Sequence, residues 1–443
     1  MVEANIKIIE DLKEVLNIIN EDSQIKQFYT ESKTDFTRER KLTFNRTVLL
    51  IVNMLKRSLS IEIREFFETC LEQPISCTKS ALTIQRKKIK SCFFEVWNKQ
   101  FVDSFYHHYG DNLKKWKDFL VIAVDGSTTT LLNKESVIEH FGCNKNQFVA
   151  TPMARVMKFY DVLNKVVIFS KICSIKIGEQ SIVENYIEKL PQNSLSIYDR
   201  AFPSFSLMYL LMNQERPRHF VIRAKLDFNK QVIEFMKSTE LDQVKCLYPN
   251  DETKTRMNKL GYKMFKKTFI KLRMIKIVLD TGITEVLLTN LYDKEIYNIG
   301  CFKELYFLRW GVETSFDSDK NKQQLAQFSG HSVWSIEQDF YATIIVSNLQ
   351  SIIEKQCEKN VVNLNKNRKF DYKINKNVSI GSMKNKIVNL FLTQNPQTIL
   401  LHLQKLFEQN LEPVRPNRSY PRYNNTAKPR GKFNTLTNYK RAI

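Results

Sequence analysis

The chain has 443 residues, a length typical of two or three domains, and 43% of them are hydrophobic, which is enough to build packed cores. Lysine and arginine outnumber aspartate and glutamate by 68 to 47, so the net charge is +21. An excess of this size favours a polyanionic partner, either nucleic acid or an acidic membrane surface; a merely basic surface is the alternative.

The composition argues against membrane-spanning and disulfide-rich proteins. No apolar run approaches the roughly 18 residues that a membrane span requires, and the amino-terminal segment lacks the apolar core of a secretory signal. The eight cysteines include no Cys-x-x-Cys pair, so the sequence predicts neither a zinc cluster nor a disulfide framework. We therefore expect a cytoplasmic protein with no membrane partner.

Residues 1–110 carry apolar side chains at three- and four-residue spacing, which predicts an all-helical N-terminal domain. Within it, a short helix, a turn at Pro74 and a second, basic helix follow one another, an order that suits a helix-turn-helix DNA reader. Arg86, Lys87 and Lys88 in the second helix are the candidate DNA contacts. The alternative is a basic helix that faces only solvent.

From residue 117 the pattern changes to β-rich runs that alternate with helical ones, which predicts a mixed α/β core. Residues 224 to about 290 resume strand-like runs with few helical signals, and we interpret them as a β-rich insertion. Further helices are predicted over 300–326, 333–358 and 380–408. The residues from 413 onward combine Lys and Arg with Pro and Asn, which predicts a flexible basic tail suited to phosphate contact.

Two aspartates follow apolar strand-like runs. Asp125 precedes a Gly-Ser turn, and Asp199 precedes Arg200. Both carboxylates are therefore predicted at the ends of core strands. A metal ligand is one interpretation of each, and a residue that caps a turn or a helix is the other.

The segment around Glu313 predicts a helix with one polar stripe. At about 100° per residue, Tyr306, Arg309, Glu313 and Lys320 fall within roughly 60° of one another. An apolar face that would anchor the helix lies beside this stripe and contains Leu305, Leu308, Val312 and Phe316. The alternative is an ordinary amphipathic helix in which Arg309 and Glu313, four residues apart, form an ion pair.

The spacing Tyr306-x2-Arg309-x3-Glu313-x6-Lys320 matches in full the signature of bacterial insertion-sequence transposases of the IS-four family. The chain resembles that family over roughly residues 50 to 430. The Asp-Gly-Ser at Asp125 and the Asp-Arg-Ala-Phe at Asp199 are similar to the family's other two motifs, with Ala in place of the usual Gly after Asp-Arg.

The resemblance implies an α/β fold with an RNase H-like catalytic domain over 111–358, in which the β-rich insertion lies between the second Asp and the Glu. A helical C-terminal region over 359–412 and the basic tail over 413–443 would follow. Asp125, Asp199 and Glu313 would be the catalytic triad that binds two Mg²⁺ ions, with Mn²⁺ able to replace them.

The resemblance also implies cut-and-paste transposition, that is, cleavage at transposon ends and strand transfer into target DNA. A homodimer would pair the two ends of double-stranded DNA at the bacterial nucleoid. Tyr306, Arg309, Lys320 and Arg200 are the expected DNA contacts, with Arg309 suited to a bidentate phosphate contact and Tyr306 to a contact through its hydroxyl.

Two alternatives stay open at this point: a domesticated or inactive transposase that only binds DNA, and a nuclease of related fold that does not join strands. Relatives that form a DNA hairpin are expected to hold a flipped base with a Trp of the insertion, but no Trp occurs between Asp199 and Arg309. The aromatic residues that could stack instead are Tyr248, Tyr262, Phe265 and Phe269.

Overall fold

The computed structural model describes residues 1–38, 40–71, 76–145, 150–279, 282–366 and 368–415. Its first part is helical, as predicted. The helices are α1 (Val2–Glu21), α2 (Ser23–Tyr29), α3 (Phe44–Val52), α4 (Leu59–Glu65), α5 (Lys79–Lys87) and α6 (Cys92–Tyr109).

The middle of the chain alternates strands with short helices. The strands are β1 (Leu120–Thr130), β2 (Cys143–Lys145), β3 (Ala150–Asp161), β4 (Val166–Ser174), β5 (Ser194–Tyr198), β6 (His219–Ala224), β7 (Asp242–Leu247), β8 (Ile270–Val278) and β9 (Thr284–Thr289). The helices between them are α7 (Glu135–Phe141), α8 (Glu179–Asn185), α9 (Phe205–Met212), α10 (Lys230–Lys237) and α11 (Asp251–Lys259).

These nine strands of the described chain form one mixed sheet, in the order β2-β3-β1-β5-β6-β9-β8-β7 with β4 also paired to β3. β1, β3 and β4 form an antiparallel meander, whereas β1, β5 and β6 are parallel. β9, β8 and β7 then continue the sheet antiparallel to β6. The mixed α/β prediction is therefore confirmed.

The predicted β-rich insertion contains strands, but it also contains helices that were not predicted. Its strands β7 to β9 are hydrogen-bonded to the central sheet. Two helices, α10 and α11, interrupt them, each begun by an asparagine whose side chain accepts a hydrogen bond from the first helical turn. The segment is thus an α/β extension of the same sheet.

The last part of the described chain is mostly helical. It contains α12 (Gly300–Phe307), α13 (Trp310–Asp317), a π-helical turn (Ser318–Lys322), α14 (Val333–Asn365), β10 (Tyr372–Ile374), α15 (Lys376–Met383), α16 (Lys386–Leu392), α17 (Pro396–Gln409) and β11 (Leu411–Pro413). The start of the predicted basic tail pairs as β11 with β10, and residues 416–443 lie outside the described residues. No helix among the described residues combines the length and the apolar character needed to cross a bilayer.

The sheet has a hydrophobic core on each face, because strand side chains alternate between the faces. On β1, Val121 belongs to the core that α12 covers with Phe302 and Leu305. Its neighbours Leu120 and Ile122 belong to the larger core on the other face, where α6 and α14 contact β4. The sheet therefore lies between two helical layers.

The N-terminal helices share that larger core with the C-terminal ones. Trp97 of α6 packs against Phe391 of α16, with 5.3 Å between ring centroids, and its indole nitrogen donates to the backbone oxygen of Leu12 in α1. α1 also contacts α17. The N-terminal helices are thus built into the body of the protein, and the domain boundary predicted near residue 110 stays a prediction.

Arg86 of α5 is interior, which corrects its prediction as a DNA contact. Its guanidinium forms an ion pair with Asp339 at 2.8 Å and donates to the side chain of Gln338 at 2.6 Å and to the backbone oxygen of Ser335 at 2.8 Å. With only 3% of its surface exposed, Arg86 joins α5 to the start of α14 and is not available to a phosphate. A spacing pattern does not reveal this, because the partners come from a distant part of the chain.

The other two basic residues of this segment remain accessible to different degrees. Lys87 is exposed. Lys88 is partly buried: its ammonium lies 3.5 Å from a carboxylate oxygen of Asp35 and over the ring of Phe36. Lys87 is therefore the better placed of the two for a phosphate contact.

Replacement of Arg86 by Met is expected to lower the free energy of unfolding by about 3–5 kcal/mol, because Asp339 would be left as an unpaired buried charge. Lys87→Met is the matched control, since an exposed substitution one residue away should change stability by no more than about 0.5 kcal/mol. Urea denaturation followed by circular dichroism measures both. Equal stability of the two variants would contradict the buried network.

Candidate functional site

Asp125 in β1 and Asp199, the residue after β5, lie at the same height on neighbouring parallel segments. Ala123 of β1 is in register with Ile197 of β5, and Asp125 and Asp199 each come two residues later. Parallel strands are about 4.8 Å apart, so the two residues are close neighbours on the sheet. The carboxylates are also held locally: Gly126 N donates to Asp125 Oδ1 at 2.8 Å, and Ala201 N donates to Asp199 Oδ1 at 2.7 Å.

Asp125 is not at the end of its strand, as the sequence predicted, but inside it. β1 continues to Thr130 and stays paired with β3 over that length, whereas its pairing with β5 ends at Ala123. Asp125 therefore lies where β1 loses one of its two neighbours. Because β5 no longer pairs with β1 at this point, other segments of the chain can approach the side chain of Asp125.

Glu313 is brought to this place by α13, which packs against β1 and β3. Gly311 permits the close approach, since a Cβ there would lie 3.3 Å from a methyl carbon of Val162. The guanidinium of Arg309 links the acids: Nη2 lies 2.7 Å from Glu313 Oε1, and Nη1 lies 4.0 Å from Asp125 Oδ2. Arg309 itself is 5% exposed.

The helix that carries these residues is not regular, which corrects the single stripe predicted from a uniform helix. The backbone amides of Leu308 and Arg309 bond three residues back, so the chain is tightened between α12 and α13. After α13 the chain loosens into the π-helical turn, which contains Lys320. Lys320 nevertheless reaches the site, where its ammonium donates to the hydroxyl of Ser127 in β1.

Tyr306 differs from the prediction because its side chain lies beneath the site and is 6% exposed. It packs in the core between α12 and the sheet, and its buried hydroxyl has no hydrogen-bond partner among the described residues. Burial raises the pKa of Tyr306 to about 12. The expected phosphate contact through the Tyr306 hydroxyl is therefore not available in this arrangement; its ring lies instead 5.9 Å beneath the guanidinium of Arg309.

Asp125 is affected by burial and by the charges of the other two acids. Burial is the main cause that raises the pKa of Asp125 to about 7, and the negative charges of Asp199 and Glu313 add to it. The Gly126 amide and the Arg309 guanidinium act in the opposite direction. A buried carboxyl crowded by two like charges is an environment that a bound cation would relieve.

The donor chemistry of this cluster fits Mg²⁺, which prefers carboxylate oxygens and retains several waters. The three carboxylates do not, however, surround one point: among the described residues, no three His, Cys, Asp or Glu are close enough together to hold a metal ion. Asp125 and Asp199 are the adjacent pair, and Glu313 is engaged by Arg309. Arg200, the remaining predicted contact, is exposed beside Asp199.

Sequence reasoning missed an acid beside this site, Glu179 at the start of α8, which lies on the face of β1 opposite to the Asp125 side chain. Its carboxylate pairs with Arg155 of β3 and lies directly over Gly126, where a Cβ would be only 2.3 Å from the Glu179 carboxyl carbon. Burial raises the pKa of Glu179, and Asp199 is among the charges that add to the effect. The available signal was the Gly after Asp125, which indicates a close approach by another part of the chain.

A buried lysine was missed as well. Lys158 is fully buried in β3, directly opposite Asp125 in the register, and pairs with Asp319 at 2.5 Å. The signal in this case was a lysine within the strongly apolar run Val156–Phe159, since Lys is almost never fully buried unless it is paired.

Comparisons with known proteins give little beyond this geometry. No protein-family model matches the chain, and no curated protein matches it. Among solved structures, the chain is similar to piggyBac transposase in a cryo-EM synaptic complex with hairpin DNA, at 10% sequence identity and a TM-score of 0.41 over 92% of this chain and 80% of that one. The function must therefore be argued from the residues of this chain.

Replacement of Asp125 by Asn is expected to stabilise the protein in the presence of a metal chelator. The folded carboxyl has a pKa of about 7 and the ordinary value is 3.8, so the folded state retains a proton that the unfolded state releases. The wild-type protein should therefore lose stability as the pH rises through this window, and the Asn variant should not share that loss.

The difference in unfolding free energy between the two should grow from pH 4 to pH 7 and level off above it, at roughly 2–4 kcal/mol. Urea titrations at several pH values with EDTA present measure it. A difference that does not depend on pH would mean that the folded protein does not raise the pKa of Asp125.

Proposed function

We propose that the chain is a DNA transposase that uses bound divalent metal ions to cut DNA at transposon ends and to join the freed ends to target DNA. The observation that carries the proposal is that Asp125 and Asp199 are neighbours where the β1–β5 pairing ends, while Arg309 contacts both Asp125 and Glu313 and Lys320 reaches Ser127 of β1. These are the residues, apart from Tyr306, that the motif resemblance picks out.

The topology supports an RNase H-like assignment for the core of the sheet. In such a core, three antiparallel strands are followed by two that run parallel to the first. The order β4-β3-β1-β5-β6 and its strand directions fit this description. Asp125 then lies in the central strand β1, and Asp199 directly follows its parallel neighbour β5.

The chemistry requires charge stabilisation on both sides of a phosphorus atom. Two Mg²⁺ ions about 3.5–4 Å apart, when bound by the carboxylates of Asp125, Asp199 and Glu313, would supply that stabilisation at the attacking and leaving oxygens. Arg309 would hold a phosphate with its forked N–H groups, and Lys320 would add a point charge. The flat guanidinium is already oriented by the ring of Tyr306 below it.

The reaction sequence proposed from the resemblance is a nick by water at the transposon end, followed by attack of the freed 3′-hydroxyl on the opposite strand, which forms a hairpin and releases the flanking DNA. A second water then hydrolyses the hairpin, and the restored 3′-hydroxyl attacks target DNA. A hairpin step would need a surface on which an extruded base can stack. Tyr248 and Phe269 are about half exposed, with ring centroids 5.8 Å apart, and Phe265 is 67% exposed. We propose these rings for that role.

The remaining partners belong to the same proposal. Lys87 and Arg200, both exposed, are the proposed contacts to the DNA backbone, and Lys88 is a weaker candidate. We propose that a homodimer brings the two ends together at the bacterial nucleoid. The competing function, DNA binding without cleavage, gives no chemical reason for the neighbouring Asp125 and Asp199 or for the Arg309 guanidinium that links Asp125 to Glu313.

Asp125→Asn, Asp199→Asn and Glu313→Gln should each reduce end cleavage at least about 100-fold, because charge stabilisation at the reacting phosphate is lost. DNA binding should stay nearly intact, since positioning depends on basic groups. Single-turnover cleavage of labelled end DNA with Mg²⁺ or Mn²⁺, alongside fluorescence anisotropy, measures both. Exposed Glu304 on α12 provides the control, Glu304→Gln.

Full activity in any one of the three variants would remove that residue from the triad. Wild-type protein that binds end DNA without any metal and never cleaves it would favour the binding-only alternative. Products of hydrolysis without strand transfer from a pre-cleaved end would instead indicate a nuclease.

Lys320→Ala should weaken binding to end DNA and reduce the slope of log affinity against log salt concentration by about one, the loss of one phosphate contact. Lys359→Ala, an exposed lysine in the C-terminal half of α14, is the matched control for loss of one positive charge. Anisotropy titrations at several salt concentrations measure the slopes. An unchanged slope for Lys320→Ala would mean that Lys320 serves only the contact with Ser127.

A further inference from the structure

A fully buried ion pair lies behind the candidate site. Lys158, in the middle of β3, has its ammonium 2.5 Å from Asp319 Oδ2 and 2.9 Å from the hydroxyl of Ser315, and it lies 4.7 Å from the ring centroid of Phe316. Both charged side chains are almost inaccessible, at 0% and 2% exposure. Nothing in the proposed chemistry requires this pair to touch DNA or metal.

The lysine is fixed next to the acids by the sheet. Asp125 and Lys158 are directly opposite partners in the antiparallel pairing of β1 with β3, so their side chains leave the same face of the sheet. From that position the Lys158 ammonium holds α13 through Ser315, two residues after Glu313. Lys158 therefore sets the height of α13 above the strand that carries Asp125.

The aspartate is fixed from the other side. Asp319 lies in the π-helical turn, and its second carboxylate oxygen accepts a hydrogen bond from Ser347 of α14 at 3.0 Å. The next residue in that turn is Lys320, whose ammonium contacts Ser127 of β1. The turn that delivers Lys320 is thus clamped between β3 and α14 through Asp319.

Energetics argue against a purely stabilising role for this pair. Two charges removed from water lose about as much solvation as they gain from their attraction, and well-packed apolar replacements are often equally stable or more so. Such a pair instead fixes the relative orientation of the two segments that carry it, because each charge must face the other. π-helical turns are rare and are held only where surrounding contacts fix them.

We propose that Lys158 and Asp319 are positioning residues of the active site, which set the register of the π-helical turn so that Lys320 reaches β1 beside Asp125. The part of this proposal that concerns catalysis rests on the proposed function. Lys158 acts through Lys320 and α13 and contacts no substrate itself.

The test replaces both charges at once, in Lys158→Met/Asp319→Leu, so that no unpaired charge is left in the core. The matched control is Arg273→Met/Asp242→Leu, which removes another buried pair with a 2.8 Å contact, between β8 and β7. Thermal unfolding shows whether each variant is folded. If the first variant does not fold, Lys158→Gln/Asp319→Asn, which also leaves no unpaired charge and keeps two polar groups facing each other, takes its place.

The first measurement needs no DNA. Acetylation of Lys320 by an amine reagent, followed by mass spectrometry, should be slow in the wild type and in the control and several-fold faster in Lys158→Met/Asp319→Leu, because the ammonium leaves Ser127. An unchanged rate in a folded variant overturns the proposal.

The second measurement is a double-mutant cycle on single-turnover cleavage. The buried-pair variant should lose up to about 100-fold in rate, as expected for a displaced catalytic geometry, and Lys320→Ala should cause little further loss in that background. The control pair should cleave at the wild-type rate. Losses that multiply independently overturn the proposal, since the pair would then not act through Lys320.

The two measurements separate the two proposals. A wild-type protein that cleaves no end DNA would contradict the proposed function, whereas the acetylation rates would still decide whether the buried pair positions Lys320.

Discussion

The site depends on the parallel pairing of β1 with β5 and on the point at which that pairing ends. Because the register joins Ala123 to Ile197, the next inward-facing position on each strand is an aspartate, and the two acids lie side by side at the edge of the shared ladder. Beyond that point β1 is supported by β3 alone. The space on its open side is what allows α13 and the π-helical turn to bring Glu313, Arg309 and Lys320 to Asp125. A different register by one residue would send one aspartate to the opposite core.

Around this pair of strands, charge is organised in two layers. The outer layer contains the acids with Arg309 between them, and burial and repulsion leave Asp125 with a raised pKa. The inner layer contains Lys158 and Asp319, which satisfy each other in the core. Like charges are crowded in the outer layer and opposite charges are matched in the inner one. Candidate functional sites often combine crowded charges of this kind with a well-packed layer of paired charges beneath them.

The sequence was a good guide where a pattern is local and a poor one where a partner is distant. The strands β1, β3, β4, β5, β8 and β9, the apolar face of the segment around Glu313 and the position of Asp199 after β5 followed from periodicity and spacing. The continuation of β1 through Ser127 and three threonines was missed because polar residues interrupt the apolar pattern by which a strand is recognised. Threonine nevertheless has a high strand propensity. The helices α10 and α11 were missed although Asn229 and Asn250 were available as N-caps. The burial of Arg86, the inward turn of Tyr306 and the pairing of Lys158 with Asp319 depend on contacts between residues far apart in the chain, which no local pattern contains.

The continuation of the sheet from β6 into β9, β8 and β7 has a mechanical consequence. One hydrogen-bonded sheet carries both Asp125 and Asp199, at β1 and after β5, and the aromatic side chains near β7 and β8. Four strand-to-strand steps lead from β1 to β8. At about 4.8 Å for each step, these steps span about 19 Å. Sliding one strand past another would turn its side chains to the wrong face. The continuous sheet therefore fixes the distance between the aspartates and the aromatic side chains. A ligand that contacts both groups is held across that distance.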